Sequence, residues 1–298
     1  MRHKLPHLPG WDPAFSSLND ARMYWPIQRT RLQLMVREGF QAAIGIPLER
    51  TILFLWKRGM YGRSAVKHLG LPRGEVERTL QDKLIIHVNP RELIRSVHWN
   101  ELPKRRRPSS STFIWDGDWD LQRGDLRYGS RYRFVSDLVH HRHDLIRSEA
   151  FQRFKRLVDE NRPWSSHQQG LLLDSEERIL AYLRVYLAFM DDMAEHGFDM
   201  DRGKDDLGVA VSREGKLIKI NRGLHRLAMA QYLGLQTVPV KVKAVHRVWW
   251  EAVTRNTQGA EALEHMAQAL QHCRPEQQPG PLDPHETPEH FSWPPKQV

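Results

Sequence analysis

Cysteine is almost absent: Cys273 is the single one in 298 residues, so neither a disulfide framework nor a cysteine-based zinc site can be assembled within one chain. Long hydrophobic runs are missing as well. No stretch approaches the roughly 18 apolar residues of a spanning helix, and the opening Met1-Arg2-His3-Lys4-Leu5-Pro6 carries positive charge without the apolar centre of a signal peptide. These absences lead to the expectation of a cytoplasmic protein with no membrane insertion. Internal repeats are lacking too. Acidic charge is in deficit, with 36 Asp+Glu against 45 Lys+Arg, and the net +9 favours phosphate-bearing partners, nucleic acid among them.

What is present suits a folded chain: 40% hydrophobic residues, including ten Trp and ten Phe, can fill a core. Periodicity predicts a mostly helical N-terminal region over 1–105, in which Ser64–Leu80 loosely resembles a helix-turn-helix interrupted at Gly70-Leu71-Pro72. Pro103–Thr112, with Lys104-Arg105-Arg106-Arg107 and three Ser, has little to bury and is the candidate linker. A domain is expected over 113–250, a helix over 251–272 and a disordered tail over 273–298, where seven Pro fall. The clearest helix is Ser175–His196, capped by Ser175 and stopped by Gly197.

The chemistry-bearing pattern lies between Asp206 and Trp250. Gly208–Val211 predicts a strand, Arg213-Glu214-Gly215 a hairpin turn, Lys216–Ile220 its partner, His225–Leu233 a helix and Val238–Val245 a closing strand. At the start of that helix stands Asn221-Arg222-Gly223-Leu224-His225-Arg226. Backbone N–H groups at a helix start attract anions, glycine permits close approach, Arg226 offers a planar fork and His225 a second donor or proton carrier. The competing structural reading has His225 and Arg226 pairing with a carboxylate such as Asp206.

Ile218-Lys219-Ile220, Gly223, His225-Arg226, Leu227-Ala228-Met229-Ala230, Gly234-Leu235 and Val238-Pro239-Val240-Lys241-Val242 together resemble the ParB/sulfiredoxin-like (ParB-like nuclease domain) superfamily. The resemblance covers about 45 residues. It implies an α+β fold, a small mixed sheet with helices, to which the mostly helical N-terminal part is added. It also implies a phosphate-binding loop at Gly223, His225 and Arg226. Sulfiredoxins need a cysteine just before the His-Arg pair, where this chain has Leu224, so thiol-phosphoryl chemistry is excluded. Partition ParB proteins continue into a helical DNA-binding domain, for which the residues after Trp250 leave little room. The expectation is neither a true sulfiredoxin nor a chromosome-partition ParB.

A second string, Trp115-Asp116-Gly117-Asp118-Trp119-Asp120, admits two readings. Extended, it sets its carboxylates on one face, where Asp118 and Asp120 would bind Mg²⁺ beside a nucleoside triphosphate or act as a base. Folded as a turn, it bonds its own backbone and sends its Trp side chains into the core. Arg213, Glu214 and His246 are further pocket candidates beside Asp206. His140-His141-Arg142-His143 lacks metal-ligand spacing and reads as a solvated run.

The expected function is a nucleotide- or phosphate-binding protein, a phosphotransferase or nucleotide hydrolase if enzymatic, with His225 as acid. Alternatives are a nucleic-acid-binding or nuclease-like protein and a non-enzymatic accessory protein. The sequence leaves oligomeric state open.

Overall fold

The structure, a computed structural model, describes residue 8 and residues 11–58, 70–202, 206–220, 222–255, 257–283 and 293. In chain order the helices and strands begin with α1 (Tyr24–Phe40), α2 (Ile46–Lys57), α3 (Arg73–Leu80), β1 (Ile85–Val88), β2 (Arg95–Val97), β3 (Ile114–Trp115) and β4 (Arg123–Asp125). They continue with α4 (Ser130–His140), α5 (Glu149–Asp159), β5 (Trp164–Ser166), β6 (Leu171–Leu173) and α6 (Glu176–His196). The last third holds β7 (Gly208–Val211), β8 (Lys216–Lys219), α7 (Leu224–Leu233), β9 (Val238–His246), α8 (Arg247–Thr254), α9 (Gly259–Leu270) and β10 (Arg274–Pro275). The class is α+β with a mixed sheet. Among the described residues no helix is long and apolar enough to cross a membrane.

The chain divides into two compact units, Met1–Ala42 with Ser130–Lys204 and Ala43–Gly129 with Asp205–Val298. This interleaving departs from the expected split into 1–105 and 113–250. The first 105 residues contribute β1 and β2 to the sheet, whereas residues 130–204 join the N-terminal 42 in the other unit. Pro103–Thr112 is accordingly no linker: Thr112 bridges Pro72, and Arg73 N–H donates to the Ser111 carbonyl at 2.8 Å. Of the helix-turn-helix candidate, residues 64–69 lie outside the described set and Arg73–Leu80 is helical.

The helical unit is built on α4, α5 and α6 with the hairpin β5–β6. Ser175 accepts from Arg178 N–H at the start of α6, Glu176 and Glu177 suit the positive end of its dipole, and Gly197 ends it at φ +78°. α5 is capped twice, by Ser148 and, from α4, by the Asp137 carboxylate on the Glu149 and Ala150 N–H groups. Phe15, Leu138, Phe151, Phe154, Ile179 and Leu183 fill its core.

The other unit carries the sheet, in the order β1-β9-β7-β8-β2-β4. β9 runs parallel to β7, with antiparallel β1 on its first half and parallel β3 on its last residues. β7 and β8 form the predicted hairpin, and β8 is bordered on its far edge by β2 and by β10. α7 bridges β8 to β9. Its C-terminal carbonyls, at Gln231 and Tyr232, accept from Arg91, a cation at the negative end of the helix dipole. The Gln231 amide ties the same helix to the Pro90 and Leu93 carbonyls.

Two expectations fail at the chain's later part. The helix predicted over 251–272 is two helices, α8 and α9, separated near residues 255–258. The tail predicted from 273 is ordered through residue 283: Arg274–Pro275 pair with β8, and Cys273 and Glu276 are buried. Proline composition misled here because the segment is held by side-chain partners in the distant β4 region, which composition does not register.

Candidate functional site

The residues singled out in the sequence fall at opposite ends of β7, not in one pocket. Leu207, at its entrance, lies against Gly223, and Ser212, at its exit, precedes the Arg213 hairpin. At about 3.3 Å per residue, the run from Leu207 to Ser212 covers on the order of 17 Å. Asp206 and Arg222–Arg226 stand at one end; Asp118, Asp120, Arg213, Glu214 and His246 stand at the other.

At the entrance end, the backbone turns through two left-handed residues, Arg222 at φ +71° and Gly223 at φ +65°. Lys219, fully buried, pins this turn. Its ammonium donates to the carbonyls of Gly208 at 3.1 Å, Ile220 at 2.5 Å and Arg222 at 2.6 Å. The Arg222 carbonyl and the Gly223 N–H belong to one planar trans peptide and point in opposite directions. With the carbonyl drawn inward to Lys219, the Gly223 N–H is directed away from it. Helical bonding begins only at Leu227 N–H, which donates to the Gly223 carbonyl at 2.9 Å. Leu224, His225 and Arg226 occupy the first turn of α7, which has no side-chain cap and no acidic residue. His225 and Arg226 are half-buried and Arg222 is exposed, so none of the three is sealed in the interior. Asn221 lies outside the described residues.

Asp206, the example named in the competing reading, is engaged by the lysines of β9. Asp206 accepts from Lys243 at 2.9 Å and faces Lys241 at 3.7 Å, and Glu77 of α3 meets the same two lysines. Burial alone raises the Asp206 pKa, but the hydrogen bond from Lys243 and the charges of both lysines outweigh it and hold the carboxyl below its usual value. Gly223 is fixed by geometry: a Cβ there would sit 2.8 Å from Leu207 Cδ2 and 3.2 Å from the Asp206 carbonyl. Gly223→Ala is expected to destabilise the fold by about 1–2 kcal/mol from the left-handed backbone alone. Urea denaturation measures it; an unchanged midpoint contradicts the constraint.

At the exit end, the acidic string is a turn, and its extended reading is corrected. β3 stops at Trp115, Gly117 takes φ +90°, and the three carboxylates diverge. Asp116 pairs with Arg247 at 2.9 Å, and Asp118 is exposed, touching Arg213 at 3.2 Å. Asp120 is fully buried, accepting from the Arg213 backbone N–H at 2.8 Å and from its guanidinium at 2.7 Å. Burial pushes the Asp120 pKa up, and the Arg213 hydrogen bonds with the nearby His246 reverse this, leaving the carboxyl below its ordinary range. Among the described residues no cluster of three or more His, Cys, Asp or Glu is placed to hold a metal ion. Asp118 and Asp120 both meet the Arg213 guanidinium, the exposed Asp118 at 3.2 Å and the buried Asp120 at 2.7 Å.

His246 is equally committed. Its Nδ1 accepts from Val248 N–H at 3.1 Å, which leaves Nε2 to donate to the Gly117 carbonyl at 2.9 Å, and its ring packs tilted by 32° against Trp119. It belongs to the hairpin end and not, as expected, to the Gly223 turn. Sequence reasoning passed over Arg123, which donates to the Asp120 carbonyl, to Glu276 at 2.8 Å and to Glu214 at 3.2 Å. Glu214 thus closes a buried arginine's shell. The remoteness of Glu276, 153 residues away in sequence, leaves no local signal for Arg123.

Compared with models of protein families, with curated proteins and with solved structures, the chain matches none of them.

Proposed function

We propose that this protein binds a phosphate-bearing small molecule at the turn Arg222–Arg226, in a module of ParB/sulfiredoxin-like type. The supporting observation is the start of α7: a turn fastened by Lys219, a Gly223 N–H directed away from that ammonium, and His225 and Arg226 in a first turn that contains no acid. Of the acid–base groups expected from the sequence only His225 stands at this end, so the reading is binding and not phosphoryl transfer by Asp118 or Asp120. A nucleoside triphosphate would bring Mg²⁺ on its own phosphates.

The test is a thermal-shift panel of inorganic phosphate, sugar phosphates and nucleoside triphosphates, with and without Mg²⁺. Ligand at one hundred times its dissociation constant adds about 2.7 kcal/mol, or roughly 5–11 °C for a chain of this size. Arg226→Ala is expected to abolish the shift and Asp118→Ala to preserve it. An equal shift in the Arg226→Ala protein, or none with any phosphate in the wild type, defeats the proposal.

A second reading, nucleic-acid binding, is favoured by the exposed Lys104–Arg106 turn together with the net +9 charge. It predicts affinity for duplex or single-stranded oligonucleotides that falls steeply with salt. Salt-independent or absent binding in fluorescence anisotropy rejects it.

A further inference from the structure

Residues 274–283 run as a strap along one edge of the sheet. β10 pairs in parallel with the first half of β8, Arg274 against Lys216 and Pro275 against Leu217, while β2 takes the second half of that edge at Lys219. The main chain is fastened twice more: Glu276 N–H donates to the Leu217 carbonyl at 2.9 Å and Leu282 N–H to the Leu121 carbonyl at 3.1 Å. Two buried arginines read the strap. Arg123 donates to the Glu276 carboxylate at 2.8 Å, and Arg95 to the Gln277 carbonyl at 3.0 Å. The Asp283 carboxylate closes the far end, accepting from Arg123 N–H at 2.5 Å and from Gly280 N–H at 2.6 Å. Apolar burial contributes little: of residues 274–283 only Pro275, Glu276 and Gly280 are buried, and Leu282 is 60% exposed.

We propose that this edge is a binding cleft for an extended acidic peptide, which the chain's own residues 274–283 occupy in cis as a displaceable clasp. The cleft involves none of Arg222–Arg226 and is independent of the reading of that turn. With the clasp lifted, the first half of β8 offers unpaired main-chain groups, the setting for strand addition. The Arg123 guanidinium would then keep only Glu214, whose side chain is 44% exposed, and the loss of the buried Glu276 carboxylate calls for another acid in its place. The clasp itself states what fits: main chain to pair along Lys216 and Leu217, a carboxylate at Arg123, a glycine four residues later and a second carboxylate three beyond. Glycine is required because a Cβ at position 280 would overlap the Leu121 carbonyl oxygen. Displacement is within reach, since a segment held by hydrogen bonds and charge at a sheet edge opens well below the free energy of global unfolding. Tethering gives the clasp an effective concentration on the order of mM, so a peptide in trans gains the cleft when the clasp is weakened.

The test is fluorescence anisotropy of a labelled synthetic peptide of residues 274–283 with the full chain. Gly280→Ala in the chain should leave circular dichroism unchanged, speed amide hydrogen exchange over 274–283 at least tenfold, and raise the affinity for the peptide at least tenfold over the wild type, whose clasp competes. Asp283→Ala removes the acceptor of the Arg123 and Gly280 N–H groups without altering either arginine, and it should act in the same way. A peptide carrying Glu276→Gln should bind the opened chain at least tenfold more weakly, because it offers Arg123 no charge. An opened chain that does not take the peptide, or takes it no better than the wild type, overturns the proposal. So does indifference to Glu276→Gln in the peptide. Unchanged exchange in both chain variants, or loss of the folded spectrum in both, shows a fixed part of the fold in place of a clasp and overturns it as well.

Discussion

Asp120→Ala is expected to lower the stability of the sheet-bearing unit by about 3–5 kcal/mol, the range found when one member of a buried ion pair is removed. At about 2–4 °C per kcal/mol the melting midpoint drops by roughly 6–20 °C. The loss is large because Asp120 gathers several structures at once. Its carboxylate accepts from the backbone and guanidinium of Arg213 and lies 3.8 Å from His246, while its carbonyl accepts from Arg123, whose guanidinium also holds Glu276. Removing the carboxylate leaves the partly buried Arg213 cation without its main partner.

The same residue makes a pH prediction. Asp120 has a folded pKa held below its ordinary value, so its contribution is fully present above the unfolded value of about 3.9 and is lost as pH falls through the lower folded value. Wild-type stability should therefore decline below about pH 4, and the Asp120→Ala protein should decline less over that interval. Asp116 and Asp206 share the depression and remain in both proteins, so the difference between the two acid profiles isolates Asp120. Urea denaturation at pH 7 and pH 3 measures both effects. A loss below 1 kcal/mol at neutral pH, or parallel acid profiles, shows that Asp120 is not a keystone of the network.

The sequence is legible where one element supplies its own signals. Ser175, the apolar period after it and Gly197 delimit α6, and the short apolar-rich runs Gly208–Val211 and Lys216–Ile220 on either side of Arg213-Glu214-Gly215 give the hairpin. What failed involves contacts far apart in the chain. Residues 130–204 group with the first 42, a pairing that no local period reveals. Asp118 and His225 both carry useful chemistry and suggest one site in the sequence, yet the direction of β7 separates them, and direction is a property of the assembled sheet. Lys219 between two isoleucines reads as the solvent side of a strand. It is buried because the carbonyls of the turn that follows it converge on its ammonium.

Lys219→Met is the second large effect, and it reaches the proposed ligand site without altering a residue that faces it. Methionine keeps the length of the side chain and removes all three donors. The Ile220 carbonyl then loses a charged partner in a buried place, and the Gly208 carbonyl keeps only the Ile220 N–H. With buried unsatisfied groups costing about 1–3 kcal/mol each and some relaxation of the turn, a loss of about 2–4 kcal/mol is expected. The consequence for binding follows from the third carbonyl. Once Arg222 is no longer held inward, its peptide can rotate and take the Gly223 N–H out of the position that an anion would meet. The Lys219→Met protein, assayed well below its own midpoint, should therefore lose the phosphate-induced thermal shift even though His225 and Arg226 are untouched. If the shift survives undiminished while the stability loss appears, Lys219 supports the fold only and the anion is held by the side chains of α7 without the pinned turn.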